Sequence, residues 1–395
     1  MKWIEIDELE KANSKLQQTN QKLDEINTKL DEISTKTNEI NEKTTLIHDY
    51  FNKALNLEIL TTLFDILQKN YIKLTAHNIQ PNDLIAPHLY DLSFNGVNQY
   101  AVIGLQPGNI GTPFTVYGWS EITIEELMYP VWPKASSTWA HFSMIGDPWI
   151  DYPSIRMITD ARADYTYLNV MWTVRTQDGA RKDYSYNIVA YRNTWVHVVR
   201  RFTSAREHSV WVNGAKAYSA SVPSTEITVL EWNPATATRP YRYQRFVLGA
   251  NVDFGEWMTV RYGYVRIYDR ALTNDEISQA YNQQIVSASG LRLFIDPTFF
   301  DGAKYVDLSG NGNHAYPYNN PQKVDAENKW MYIIRNMYSD GYIRFLLPQD
   351  SLVIWNSGKI TTIECVNPMF FDGTHYWCLY TTVAKGDSAT IYIPQ

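Results

Sequence analysis

NTWVHVVRRFTSAREHSVWVNG, residues 193–214, is the stretch that decides the fold. Residues 195–199 (WVHVV) and 209–212 (SVWV) are short runs of β-branched and aromatic side chains, the composition of strands. Asn213-Gly214 then supplies the dipeptide of a type I′ turn, which joins two twisted antiparallel strands. Similar runs recur at 114–117, 154–158, 167–172, 245–248 and 262–268, separated by turn residues. Strands this short and this closely spaced predict an antiparallel β-sandwich. Strand aromatics such as Trp172 and Trp195 are assigned to its core. The single helical signal within this region is Thr273 followed three residues later by Glu276, a capping box.

The N-terminal segment has a different period. Leu9, Leu16, Leu23 and Leu30 recur every seven residues, and the register continues through Thr37 and Thr44 to Phe51. A second series runs three residues later: Ala12, Thr19, Ile26, Ile33, Ile40, Ile47 and Ala54. This 3-4 spacing predicts an all-α coiled coil over residues 1–54. Glu25, Glu32 and Glu39 each precede a lysine by four residues, the order that supports a single helix. No Pro or Gly interrupts residues 1–80, so from Leu9 to Ala54 a helix of about 70 Å is allowed. An apolar stripe of that length requires partner copies. Leu in the first series with Ile in the second favours a homotrimer, with a tetramer as the alternative. Residues 55–83 show a broader apolar face, which predicts a helical bundle extension and an exit linker.

Four phrases resemble laminin-G-like, concanavalin-A-like lectin domains. They are residues 94–100 (FNGVNQY), 193–199, 210–214, and 264–272 (YVRIYDRAL) with its following 275–277 (DEI). The resemblance implies a two-sheet jelly roll over 84–287. The phrases restart at 290–296 (GLRLFID) and 305–314 (YVDLSGNGNH), which implies a second sandwich of the same type over 288–395. That copy reaches no closing hairpin and looks incomplete: either the chain is a fragment, or a neighbour supplies the missing strands. The fold class is therefore an N-terminal coiled coil followed by all-β antiparallel sandwich domains.

Over 395 residues, 35 Lys and Arg stand against 42 Asp and Glu, a net charge of −7 that argues against nucleic acid or an anionic membrane as partner. No run of 18 apolar residues suits a membrane-spanning helix, and no Sec-type leader is visible. Cys365 and Cys378 flank a turn at 371–373. A cross-strand disulfide and two buried thiols both fit, and buried thiols are the preferred reading. Some enzymes share the sandwich fold and carry paired carboxylates on one strand, but the Glu-x-Asp-x-(x)-Glu phrase of the glucanases is absent. Glu121, Glu125 and Glu126 form the nearest cluster, and no catalysis is expected. Asp307, Ser309 and Asn311 alternate ahead of Gly312 like a calcium loop, but the twelfth position is Tyr318, so a structural turn is the first reading and Ca2+ the second. Asp147 and Asp151 form another candidate metal loop.

Glycan recognition uses aromatic faces with nearby amides and carboxylates. The candidates are Trp132, Trp139, Trp149, Asp151, Tyr152, Trp232, Tyr241, Tyr243 and Trp257. A helical rod carrying lectin-like sandwiches resembles a viral spike or tail-fibre attachment protein. The expectation is a non-enzymatic homo-oligomer on the virion surface, binding a host-surface glycan or glycoprotein at its heads and other virion proteins at its base. The alternatives are a scaffold subunit whose sandwiches bind proteins, and a glycan-active hydrolase.

Overall fold

The computed structural model describes residues 2–41, 70–106, 110–111, 114–131, 140–145, 154–159, 168–176, 180–231, 245–251, 254–365, 368–383 and 386–395. Two compact units divide the chain, Met1–Tyr71 and Ile72–Gln395. In the first, helix α1 spans Lys2–Asn41, which is about 60 Å of continuous helix. The hydroxyl of Thr19 donates to the Lys15 carbonyl at 2.7 Å and that of Thr28 to the Asp24 carbonyl at 2.8 Å. Leu16, Leu23, Ile26 and Leu30 are 54–63% exposed. Leu9, Ile33 and Ile40 also fall on this helix, whereas Ile47 and Phe51 lie outside the described residues.

At the start of the second unit lies a strand, Tyr71–Ala76, whose first residue closes the first unit; here the sequence pattern predicts helix. Locally the period is two: Leu74 and Ala76 are buried while Lys73 and Thr75 are exposed, and that alternation fits a sheet edge better than a helix face.

The sandwich forms from two sheets. One runs in the order Ala215–Ser221, Glu207–Val212, Val196–Phe202, Ile122–Pro130 and Thr259–Tyr268. The other runs Arg181–Asn187, Leu168–Thr176, Ser154–Thr159, Ala140–Ile145, Phe246–Leu248, Tyr100–Ile103, Ala315–Tyr318 and Tyr305–Asp307. Both reach the Leu291–Phe300 strand, which pairs with Thr259–Tyr268 on one side and Tyr305–Asp307 on the other. Asn213 and Gly214 take φ of 49° and 77°, as the type I′ turn requires. Helix α2, Asn274–Gln283, starts with the Thr273–Glu276 capping box, both bonds formed.

The strands after residue 287 are distributed differently from the expected second copy. Those at 291–300, 305–307 and 315–318 belong to the first sandwich. The missing partners of the rest come from the same chain. The 12-residue strand Leu84–Asn95 pairs through Leu92–Asn95 with Thr259–Tyr262, and through Leu84–His88 with Trp330–Ile334. It therefore links the first sandwich to the strands of the second core. The Tyr71–Ala76 strand joins Ala389–Pro394, Leu352–Trp355 and Ile360–Thr362 in a four-stranded sheet. A second core forms between these strands and the outer face of the first sandwich. Val196 and Val198 face the first core; Val199, Tyr264 and Tyr268 face the second, with Ile277 of α2, Phe294 and Trp355. The apolar face that a half sandwich would expose is covered internally.

Cys365 and Cys378 are joined by a disulfide, with Cα atoms 5.5 Å apart, rather than remaining thiols. Cys378 stands opposite Pro368 on the neighbouring strand, which brings the two cysteines within bonding reach.

Candidate functional site

The 84–95 strand does not keep one register with its neighbour, Gln322–Arg335. His88 pairs with Trp330 but Tyr90 pairs with Asp325, so residues 326–329 stand opposite Leu89 alone. This wide bulge pushes Glu327 and Asn328 to the surface. A second bulge lies nearby. Tyr262 pairs with Met128 and Tyr264 with Leu127, which leaves Gly263 as an extra residue. A Cβ there would sit 2.8 Å from Leu127 Cδ2, so only glycine allows this approach without displacing the leucine. Between the bulges opens a cavity of about 260 Å3.

Four aromatic rings line it: Trp195, Tyr264, Tyr281 and Trp330. Asp91, Leu127, His197, Gln284, Glu327 and Asn328 complete the wall. The 213–214 turn positions two of these groups. Asn213 Oδ1 accepts the His197 amide at 3.0 Å, and Gly214 lies under the Tyr281 ring, which a Cβ would approach to 2.8 Å. Tyr281 in turn stacks on His197, with ring centroids 5.4 Å apart. Gln284 ends α2 in the left-handed conformation, φ 53°, a position usually given to glycine.

Buried charge lies behind the wall. His88, fully buried, places Nδ1 2.8 Å from Asp296 Oδ2 and Nε2 3.2 Å from Asp91 Oδ1. Burial opposes its imidazolium, but the two carboxylates outweigh burial and lift the pKa to about 9. The Trp330 ring stacks on this imidazole at 4.0 Å. Burial raises the pKa of Asp91, against the pull of His88. On the sandwich side, Glu125 Oε1 accepts from His197 Nε2 at 2.8 Å, Arg266 at 2.9 Å and the Tyr264 hydroxyl at 3.2 Å. Burial disfavours the Glu125 carboxylate, but the Arg266 guanidinium outweighs it and the pKa falls to about 2.

Four residues lining the cavity carry a buried polar atom with no protein partner: Asp91 Oδ2, His197 Nδ1, Gln284 Oε1 and Trp330 Nε1. Leaving such atoms unpaired costs about 1–3 kcal/mol each. Flat apolar rings with a few unpaired donors and acceptors suit a small ring that presents both C–H faces and hydroxyls.

The sequence-predicted ligand residues are not brought together here. Trp132, Trp139, Trp149, Asp151, Tyr152, Trp232, Tyr241 and Tyr243 lie outside the described residues. Trp257 packs on the cluster of Tyr100, Val102, Met144, Val247 and Ala250, and does not line the cavity. Trp172 is core, stacked on Phe202 at 4.7 Å, but Trp195 is half-buried and lines the site instead. Asp307 and Asn311 form a turn. The Asp307 carboxylate accepts from the Phe294, Ser309 and Asn313 amides and the Ser309 hydroxyl, and Asn311 donates to the Leu291 carbonyl. Asp147 and Asp151 lie outside the described residues; among those described, no group of three or more His, Cys, Asp or Glu could hold a metal. Glu121 accepts the Ser204 and Ala271 amides, and Glu126 pairs with Arg200 at 2.7 Å, both buried. Of the two bulges, the one opposite Leu127 is signalled by Gly263, a lone glycine inside the run 262–268.

The sequence matches no protein-family model and no curated protein. Among solved structures it is similar to a Bacteroides ovatus protein described as carbohydrate-binding, with 17% identity, 62% of each chain covered and a TM-score of 0.42. A heptameric serum-amyloid-P-like pentraxin of Limulus polyphemus matches at 12% identity over 64% of this chain and 98% of that one, with a TM-score of 0.33. The binding domain of botulinum neurotoxin serotype D matches at 12% identity over 80% of each chain, with a TM-score of 0.32. None of these likenesses fixes a role for a residue of this chain.

Proposed function

We propose that this chain is a non-enzymatic glycan-recognition protein whose β-sandwich unit binds a sugar in the cavity bounded by Trp195, Tyr281 and Trp330. The observation that carries the reading is the pairing of aromatic faces with four unpartnered buried polar atoms in one cavity. Glu125, the carboxylate nearest to a catalytic candidate, accepts from three donors, which suits a support for His197 and Tyr264 rather than an acid or base.

The exposed Leu16, Leu23, Ile26 and Leu30 support the second part of the proposal, that copies of α1 wind together and display several heads. Weak single-site sugar binding becomes tight when heads engage together. An oligomeric rod bearing sugar-binding heads is the organisation of an attachment spike or tail fibre. We place the protein in that class, outside the cell and on a virion surface, with the homotrimer as its assembly.

The test is a glycan array probed with the full chain and with Trp195→Ala. A sugar retained by the first and lost by the second is expected. A hit that survives in Trp195→Ala, or no hit, overturns the cavity as the sugar site. Light scattering on the full chain reports the assembly, and a monomer mass overturns the rod.

A further inference from the structure

We propose that the sugar taken by this cavity carries a free amino group, so that the site selects a protonated hexosamine over neutral or acidic sugars. This rests on the reading of the cavity as a sugar site and adds the class of ligand.

The argument is one of charge. Asp91 and Glu327 line the cavity, and neither Lys nor Arg does. The cations nearby are already engaged. Arg266 is held by Glu125 at 2.9 Å and lies over the Tyr264 ring at 3.8 Å. Arg261 reaches Glu327 at 3.5 Å from a position one-third exposed. His88 is shared between Asp91 and Asp296. Asp296, Glu125 and Glu327 thus each meet a positively charged or ring N–H partner, Glu125 meeting His197 as well as Arg266, whereas one oxygen of Asp91 is left over. Asp91 lines the cavity, is 1% exposed, and its Oδ2 meets no donor. A buried carboxylate oxygen left this way is best answered by a cation. The raised pKa of Asp91, caused by burial, is the same deficit seen from the proton's side.

An ammonium group in the cavity would donate to Asp91 Oδ2 while aromatic faces attract its charge. Acetylating the amine removes that charge and adds bulk to a space of about 260 Å3. A sugar carboxylate would instead meet Asp91 and Glu327 with no guanidinium lining the cavity to receive it.

The experiment is calorimetric titration of the full chain with glucosamine trisaccharide, its fully N-acetylated counterpart and N-acetylneuraminic acid, at a pH where the amine is protonated. Binding at least tenfold tighter for the free amine is expected, with the preference reduced in Glu327→Gln and abolished in Asp91→Asn. Glu327 is exposed, so its variant keeps the test intact if Asp91→Asn does not fold. Equal or tighter binding of the acetylated or acidic probe overturns the amine assignment while leaving the cavity as a sugar site. Failure of all three probes, together with a blank glycan array, overturns the sugar site itself.

Discussion

Gly263→Ala should block the cavity while leaving the fold almost intact. The added Cβ would stand 2.8 Å from Leu127 Cδ2 and 3.2 Å from its Cγ, whereas ordinary contact begins at 3.4 Å. Leu127 must therefore retreat by roughly 0.6 Å at its tip (3.4 − 2.8). The atoms that must move are the free end of a half-buried side chain, so the cost falls near the low end of the usual overpacking range, about 1 kcal/mol. In a unit of this size that lowers Tm by about 2 °C. Leu127 borders the cavity, and a retreating leucine crowds the space beside Trp195 and Tyr264. A loss of about tenfold in sugar affinity, or about 1.4 kcal/mol, is expected. Calorimetry supplies both readouts, the unfolding temperature and the binding isotherm. Gly249→Ala is the contrast: φ there is +79° and the Phe94 ring lies 2.8–3.1 Å from the new Cβ, so several degrees of Tm should be lost. Native affinity in Gly263→Ala at an unchanged Tm would refute the role of the bulge. A loss of stability as large as in Gly249→Ala would refute the soft-neighbour argument.

Stability should fall on both sides of neutrality. His88, with its folded pKa raised from 6.5 to about 9, contributes stability that is complete below about pH 6.5 and lost as pH rises through 9. Tm measured from pH 6 to 10 should fall in the native protein, for a stability loss on the order of a few kcal/mol, and flatten in His88→Gln. On the acid side, burial, aided by Arg200, lowers the pKa of His208 to about 3, so its contribution is present above pH 6.5 and lost as pH falls toward 3; a Tm that stays level from pH 6.5 to 4 would count against it. Reducing Cys365–Cys378 should cost roughly 3 kcal/mol, given a separation of 13 residues, and thermal unfolding with and without dithiothreitol measures it. Gly214→Ala places a methyl against Tyr281 in a left-handed position and should lower sugar affinity together with Tm; an unchanged affinity would separate the turn from the site.

What could be read from the sequence was local. The Asn213-Gly214 turn, the Thr273–Glu276 cap and the strand runs each depend on neighbours a few residues away, and each appears in place. The heptads identified a continuous helix over Lys2–Asn41 for the same reason. The division of labour after residue 287 was not readable, because it depends on pairings across more than 200 positions: Leu84–His88 with Trp330–Ile334. Composition cannot show that one strand of 12 residues pairs with Thr259–Tyr262 at one end and with Trp330–Ile334 at the other. The sugar candidates lie on loops, where aromatics are conspicuous, and the sequence assigns Trp195 to the core as a strand aromatic. Trp195 departs from that expectation: it sits just before the Val196–Phe202 strand, is half-buried and lines the cavity.

The location of the cavity follows from the register slip along the 84–95 strand. That strand keeps the same neighbour, Gln322–Arg335, along this edge, and a slip of register within the pair leaves residues 326–329 facing Leu89 alone. Backbone that cannot pair in register diverges, and the space between has to be lined by something. Here the lining brings buried charge with it: His88 between two aspartates on one side, and Glu125 with Arg266 on the other. An apolar lining would have been easier to stabilise, because breaking or half-satisfying buried ion pairs is expensive. A left-handed glutamine at the end of α2 adds local strain at the same place. Register change, unpaired polar atoms and backbone strain therefore coincide at one position, where a fold optimised for stability alone would have closed. That coincidence is the physical reason to look for the ligand there rather than among the loop aromatics.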